Sequence, residues 1–464
     1  MLFEQFYLPS LGHASYMIAS ESTGEALALD VRRDVDTYYQ YARDHGLRIR
    51  YAADTHQHND YLTGITELQQ RSDLELLASA RSELGYRAKP LEDGERLQMG
   101  EVELEVLHTP GHTPEHISLL VRDRSRGEDP LMLLSGGALL VADVARPDLL
   151  GDWEQTQRHA REVCQTLRDK ILPLPDHVMV FPTHVAGSLC GGSIGSMLFT
   201  SLGYERRLNG ILQSVEDESA FTEQCLSLEG LPTVPPYWPR MRERNLAGPE
   251  PLGVLTEPEP LGPEAVERAR SDGAFVVDCR TPEAFGGGHI PGALNIGLGN
   301  SFPTWAGTVL PGDARTVLVL DDPADLWEAA WHLLRIGYPV PQGWLKGGMF
   351  AWRTSGRQPE FLPQWTPTEM NAEREKNGDL LVLDVRQPNE WQAGHVPGAM
   401  HLSGGDIHQR LSEVPSNRPI AVYCGSGYRS SVIASVLKRA GRGPVFNTLG
   451  GFNGWRNAGL PMES

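Results

Sequence analysis

The sequence predicts an α/β protein in three parts: a strand-rich layered domain followed by two doubly wound parallel sheets. Three observations carry that prediction. DCRTPEAFGGGHIPGALNI from Asp278 and DVRQPNEWQAGHVPGAMHL from Asp384 match without a gap at an offset of 106, and GGMFAW (347–352) matches GGFNGW (450–455) at 103, so the last two pieces are copies of one fold. In each copy apolar β-rich runs (AFVVD, TVLVL; LLVLD, PIAVY) alternate with helical stretches, as a parallel sheet covered on both faces requires. The first 230 residues instead hold many short strands with His residues just after them.

Along the first part, ALALDV, LRIRYAADTH, LELLAS, EVELEVLHTPGH, ISLLV and LMLLS read as strands, and 34–45 and 153–170 as helices. Residues 231–263 carry too many prolines for helix or central strand and read as an ordered linker. A shorter break falls at 359–367. The expected domains are therefore 1–230, 264–358 and 368–464.

Composition narrows the function. With 40% hydrophobic and 22% charged residues the chain is a soluble globular type, and a net charge of −19 argues against a nucleic-acid partner. The opening MLFEQFYLPSLGHASYMIAS has no basic leader, and no run of about 18 apolar residues occurs. A cytoplasmic protein without a membrane partner is expected. Five cysteines, 164, 190, 225, 279 and 424, are scattered and form no disulfide framework or C-x-x-C pair. Cys164, Cys225 and Cys279 read as small buried residues.

AVYCGSGYRSSVIASVLKRAG (421–441) reads as strand, loop and helix. The loop Cys424-Gly425-Ser426-Gly427-Tyr428-Arg429 can curl its amides inward at a helix N-terminus, a cradle for the anion of a persulfide on Cys424. Arg429 offers a fork of donors to sulfite or thiosulfate. This segment resembles the rhodanese (sulfurtransferase) family, with its C-x-x-G-x-R loop and DVR…GH-x-PGA motif. In the middle copy, the 103 offset places Asp321 opposite Cys424 and Leu326 opposite Arg429, so that copy (264–358) is expected to be inactive.

His56, His58 and Asp60 alternate in THQHNDYLTG, TPGHTPEH supplies His112, and FPTHVAGS supplies His184. Imidazoles and carboxylates gathered at strand ends suit Zn or Fe. This part resembles the metallo-β-lactamase superfamily, an αββα sandwich. More narrowly it is similar to persulfide dioxygenase–rhodanese fusion proteins, in which the first of two rhodanese domains is inactive.

That resemblance implies one non-haem Fe(II) per chain, with Zn an alternative on purification. It implies O₂ as co-substrate, low-molecular-weight or protein persulfides as substrates, sulfite or thiosulfate as products or partners, sulfide detoxification as the role, and a homodimer or homotetramer. It also implies that Cys190, in the turn after His184, carries persulfide to the metal. Two departures stand out: Tyr61 replaces the last His of HxHxDH, and Gly137 stands where the family's third ligand, an Asp, is expected. The expected ligands are therefore His56, His112 and Asp143, six residues on, with His58, Asp60 and His184 as neighbours or alternative ligands. Restoring the carboxylate by Gly137→Asp is expected to restore iron binding. The alternatives are a glyoxalase II-like thioester hydrolase, which needs two metals, and a plain sulfurtransferase whose first domain is a scaffold.

Overall fold

In the first part, inward-facing apolar residues at every second position pull two six-stranded sheets together. The computed structural model describes residues 1–227 and 231–464. One sheet orders its strands Leu2–Leu8, His13–Ala19, Glu25–Leu29, Arg48–Ala53, Glu75–Ser79 and Lys89–Leu91. The other runs Thr200–Ser201, Met179–Pro182, Met132–Gly136, Ile117–Asp123, Val102–His108 and Arg96–Met99. Tyr16, Ile18, Leu27, Leu29, Tyr51 and Ala53 meet Val102, Leu104, Val106, Leu119 and Val121 between the sheets.

Helices cover both outer faces, so the unit is the αββα sandwich expected. Tyr38 and Ala42 of helix Asp36–Asp44, with Ile65 and Leu68 of Ile65–Arg71, pack on Met17, Ala26, Ala28 and Ala52. Ala160, Val163 and Cys164 of Trp153–Thr166, with Phe221 and Cys225 of Glu218–Leu226, pack on Leu120, Leu133 and Val180.

The chain divides into two compact units, Met1–Leu231 with Trp238–Val254, and Pro232–Tyr237 with Leu255–Ser464. The expected boundary at residue 230 lies outside the described residues. The linker reading of 231–263 needs correction. Helix Trp238–Ala247 forms there and belongs to the first unit, and Glu259–Leu261 is a strand of the second. Proline did not prevent the helix because Pro239 sits in its first turn, where an amide has no intrahelical partner to lose. The second break also contributes a strand, Gln364–Trp365, paired with Val445–Thr448.

Both repeats in the second unit are five-stranded parallel sheets of one topology. The first orders Glu259–Leu261, Gly343–Leu345, Thr316–Val319, Phe275–Asp278 and Leu294–Asn295. The second orders Gln364–Trp365, Val445–Thr448, Ile420–Tyr423, Leu381–Asp384 and Met400–His401. Register revises the expected match at the loop. Asp278 pairs with Val319 as Asp384 pairs with Tyr423, so Leu320, not Asp321, follows the strand where Cys424 does. The offset is 104 at this strand and at the end of the following helix but 103 at the next strand, where Leu318 pairs with Trp344 and Val422 with Asn447. The first copy therefore has one extra residue after the helix, and a single offset could not show this. Leu320 bears neither a thiol nor charge.

Each repeat is pinned by the same ion pair. Arg386 donates to Asp384 at 2.6 Å and to the Gly394 carbonyl at 2.8 Å, and Arg280 repeats this with Asp278 at 2.6 Å and Gly288 at 2.9 Å. Both pairs are buried. Asp384→Ala would strand the Arg386 charge and is expected to destabilise the second unit by about 3–5 kcal/mol. Urea unfolding followed by tryptophan fluorescence checks this.

Candidate metal centre and thiol loop

Four strand ends of the first unit bring the polar loops to one edge. Arg48–Ala53 runs into Asp54-Thr55-His56, Val102–His108 into the loop holding His112, Met132–Gly136 into Gly137, and Met179–Pro182 into Thr183-His184. His56, His112 and His184 converge there, each buried, with ligand atoms within 4.8 Å of one another. The His56 and His184 Nε2 atoms lie 3.2 Å apart. Two nitrogens on one tetrahedral ion with bonds of about 2.0–2.1 Å would be separated by roughly 3.3 Å, so this pair fits a shared metal.

The outer partners fix the tautomers. The Thr55 hydroxyl gives its proton to Asp30, at 3.0 Å, and is therefore an acceptor for His56 Nδ1–H at 2.9 Å. His112 Nδ1–H donates to the Arg146 carbonyl at 3.2 Å. His184 Nδ1 faces Ser188 Oγ at 3.4 Å and the Asp60 carboxylate at 3.7 Å. His56 and His112 are thus left with an Nε2 lone pair facing the cluster, and His184 turns its Nε2 toward that of His56. Burial, reinforced by the neighbouring histidines, holds His56 and His184 well below the usual imidazole range, and burial takes His112 down to about 4. Neutral imidazoles are the form that binds a metal.

Asp143 does not join the cluster. Its carboxylate accepts the Ser193 amide at 2.7 Å and the Val144 amide at 2.9 Å, which hold it against the 191–193 turn. His184 takes the third place instead. Nor is there open space at Gly137: a Cβ built there lies 2.5 Å from His112 Cδ2, so Gly137→Asp would push the His112 ring aside rather than complete its site. His116 lies beside His56, at 5.0 Å between ring centroids, but its Nε2 accepts the Gly137 amide at 2.8 Å. That bond ties the glycine loop to the cluster.

The other expected residues have separate positions. His58 Nε2 donates to Asp30 at 3.1 Å, and His58, Asp30 and Asp54 form a second buried group. Burial raises Asp54 to about 7. Tyr61 donates its hydroxyl to the Asp30 carbonyl at 3.0 Å and bonds His13 Nε2 at 2.8 Å. Asp60 groups with His184 and Cys190, its carboxyl raised to about 6 by burial. Cys190 is 1% exposed, and burial pushes its thiol up.

Sequence reading did not single out the clamp on this loop. From helix Trp238–Ala247, Arg242 forks onto Glu115 and donates to the Gln57 carbonyl at 3.0 Å. Asn245 donates to the His58 and Tyr61 carbonyls, both at 2.8 Å, and accepts the Thr63 amide at 3.0 Å. The signal was present in the segment PPYWPRMRERN, but its prolines drew it into the linker.

In the second unit, Cys424 follows strand Ile420–Tyr423 and is 1% exposed. Its sulfur accepts the Gly427 amide at 3.1 Å and the Ser430 hydroxyl at 3.5 Å. Gly427 caps helix Tyr428–Arg439 with φ 114°, a left-handed angle that turns its amide back onto the thiol. The GGF segment closes the loop from beneath: the Phe452 amide donates to the Cys424 carbonyl at 2.7 Å and Asn453 to Gly425 at 3.0 Å. Gly451, at φ 48°, lies so near that a Cβ would meet the Cys424 carbonyl at 2.2 Å. Arg429 is not free as expected. Its guanidinium is forked onto Glu390 at 2.6 and 2.8 Å.

Comparison with known proteins adds independent findings. The rhodanese-like domain model matches residues 262–355 and 366–458. Persulfide dioxygenase ETHE1, mitochondrial, of Bos taurus is 31% identical over 187 residues, 40% of this chain and 68% of that protein. A sulfurtransferase of Allochromatium vinosum is 39% identical over 84 residues, 18% of this chain and 78% of that protein. The crystal structure of a metallo-beta-lactamase from Staphylococcus aureus is similar at TM-score 0.67 and 31% identity, covering 75% of this chain and 99% of that one.

Removing the clamp should loosen the metal loop. Asn245→Ala leaves two buried carbonyls and an amide without partners, each costing about 1–3 kcal/mol. The variant is expected to lose at least about 3 kcal/mol of stability in the first unit and to bind less metal. Denaturation and metal analysis of the purified protein check both.

Proposed function

Because the chain belongs to the family that fuses a persulfide dioxygenase-like metallo-β-lactamase domain to rhodanese-like domains, we propose that it oxidises persulfide sulfur at one metal held by His56, His112 and His184 and exchanges sulfane sulfur at Cys424. It is an enzyme of sulfur metabolism acting on persulfides, with sulfurtransferase domains. Among the described residues no helix is long and apolar enough to cross a membrane.

The observation that carries the first half is the set of three imidazole nitrogens within reach of one ion. Imidazole nitrogens suit iron and zinc alike, and oxidation of sulfur by O₂ calls for the redox-active iron. An iron ion bound there would supply the activation of O₂ that oxidation of a persulfide to sulfite requires. The chain's own part is to present neutral ligands, to exclude water through burial, and to set Cys190 beside Asp60 and His184 as a carrier thiol. Tyr61 occupies the place of a second-metal ligand, and its hydroxyl is engaged by Asp30 and His13, which disfavours the two-metal thioester hydrolase.

At Cys424 the Gly427 amide and the Ser430 hydroxyl stabilise a sulfur anion. Incubation with glutathione persulfide is expected to add about 32 Da at Cys424 by intact mass spectrometry. Absence of the adduct ends the carrier reading. For the metal, His184→Ala is expected to cut metal affinity and O₂ uptake at least about tenfold while leaving the Cys424 adduct intact. Undiminished metal content would refute the three-histidine site.

A further inference from the structure

Glu390 stands directly beside the sulfur-carrying loop. Its two carboxylate oxygens take both terminal nitrogens of Arg429, at 2.6 and 2.8 Å. A Cβ built on Gly425, the residue next to the thiol, would lie 3.2 Å from Arg429 Nη2 and 3.8 Å from Glu390 Oε1, so both charges flank the same face of the loop. The other nearby ions, Arg386 and Asp384, neutralise each other inside the sheet. The mouth of the loop therefore carries no net charge from this quartet. The first repeat offers an internal comparison. At the 106 offset Ala284 stands where Glu390 does, in the copy that has neither the thiol nor the arginine. The carboxylate is present in the copy that holds the thiol and the arginine and absent from the copy that holds neither.

The geometry points to Glu390 as a specificity-determining residue that offsets the Arg429 charge and so selects singly charged organic persulfides over doubly charged thiosulfate as sulfur donors. This rests on sulfur transfer at Cys424. With either donor the Cys424 thiolate attacks the outer sulfur, a new S–S bond forms, and the old one breaks. Its electron pair leaves with the departing group. Thiosulfate releases sulfite (SO₃²⁻) and a persulfide R–S–S⁻ releases RS⁻. Both exchanges are redox-neutral and balance in charge, but one brings two negative charges to the mouth and the other brings one. Coulomb energy scales with charge, so a change at Glu390 acts on the dianion as the square of its effect on the monoanion.

The test compares Glu390→Gln and Glu390→Asp with the unmodified chain, using as donors thiosulfate and 2-hydroxyethyl persulfide, whose only charge is its terminal sulfur, and cyanide as acceptor. Glu390→Gln is expected to lower KM about threefold for the persulfide and about tenfold for thiosulfate, with the gain shrinking in high salt. Glu390→Asp keeps the charge and should keep the donor preference. A rise in the thiosulfate KM of Glu390→Gln, an equal change for both donors, or the same shift in Glu390→Asp would overturn the proposal. So would loss of the Cys424 mass adduct in Glu390→Gln alone, which would make the residue a structural prop. Absence of the adduct in the unmodified chain would instead sink the carrier reading itself.

Discussion

The Asp30 carboxylate is the hub from which the first site is built. It is fully buried, at the end of strand Glu25–Leu29, with φ 53°, a left-handed angle that aspartate tolerates better than most side chains. It accepts the Thr55 amide and hydroxyl, the Thr183 hydroxyl and His58. Its own carbonyl takes Tyr61. Loops from three different strand ends thereby share one anion: the His56 ring is oriented by Thr55, which the anion holds, and His184 follows Thr183, which it also holds. An unpaired carboxylate so deep would be costly, so the loops must stay gathered around it.

The two sites use opposite halves of the same chemistry. In the first unit the Nδ1 donors of His56 and His112 point outward, and three imidazole nitrogens are left facing one another, which favours a cation. In the second, an amide and a hydroxyl point inward at a sulfur, which favours an anion. Both rely on burial to strengthen weak partners. One fold supplies the imidazole nitrogens and another the donors.

Much of this was legible in the sequence. His56 and His112 lie in local motifs, and the repeat at offset 106 gave the doubled sheet, because gapless matches report shared backbone. What escaped reading depended on chain segments far apart. His184, read only as an alternative ligand, joins His56 across 128 residues, and Asp143 is drawn away by the Ser193 amide. The Trp238–Ala247 clamp was hidden by prolines that tolerate a helix start. Leu320 was displaced from view because the first copy has one extra residue between its helix and the next strand, and a constant offset cannot register an insertion.

Helix Tyr428–Arg439 begins at the sulfur loop and takes polar partners from the other repeat. Tyr428 donates to the Gly297 carbonyl at 2.8 Å, Ser431 bonds Asn295 at 2.5 Å, Ser435 accepts the Asn295 amide at 3.1 Å, and Arg439 reaches Gly292 at 2.7 Å. The copy that lost its thiol is therefore no vestige. Its edge strand serves as a splint for the helix that follows Cys424, so the second repeat is half of a composite body, and the duplication is held in the architecture whether or not each copy carries a thiol.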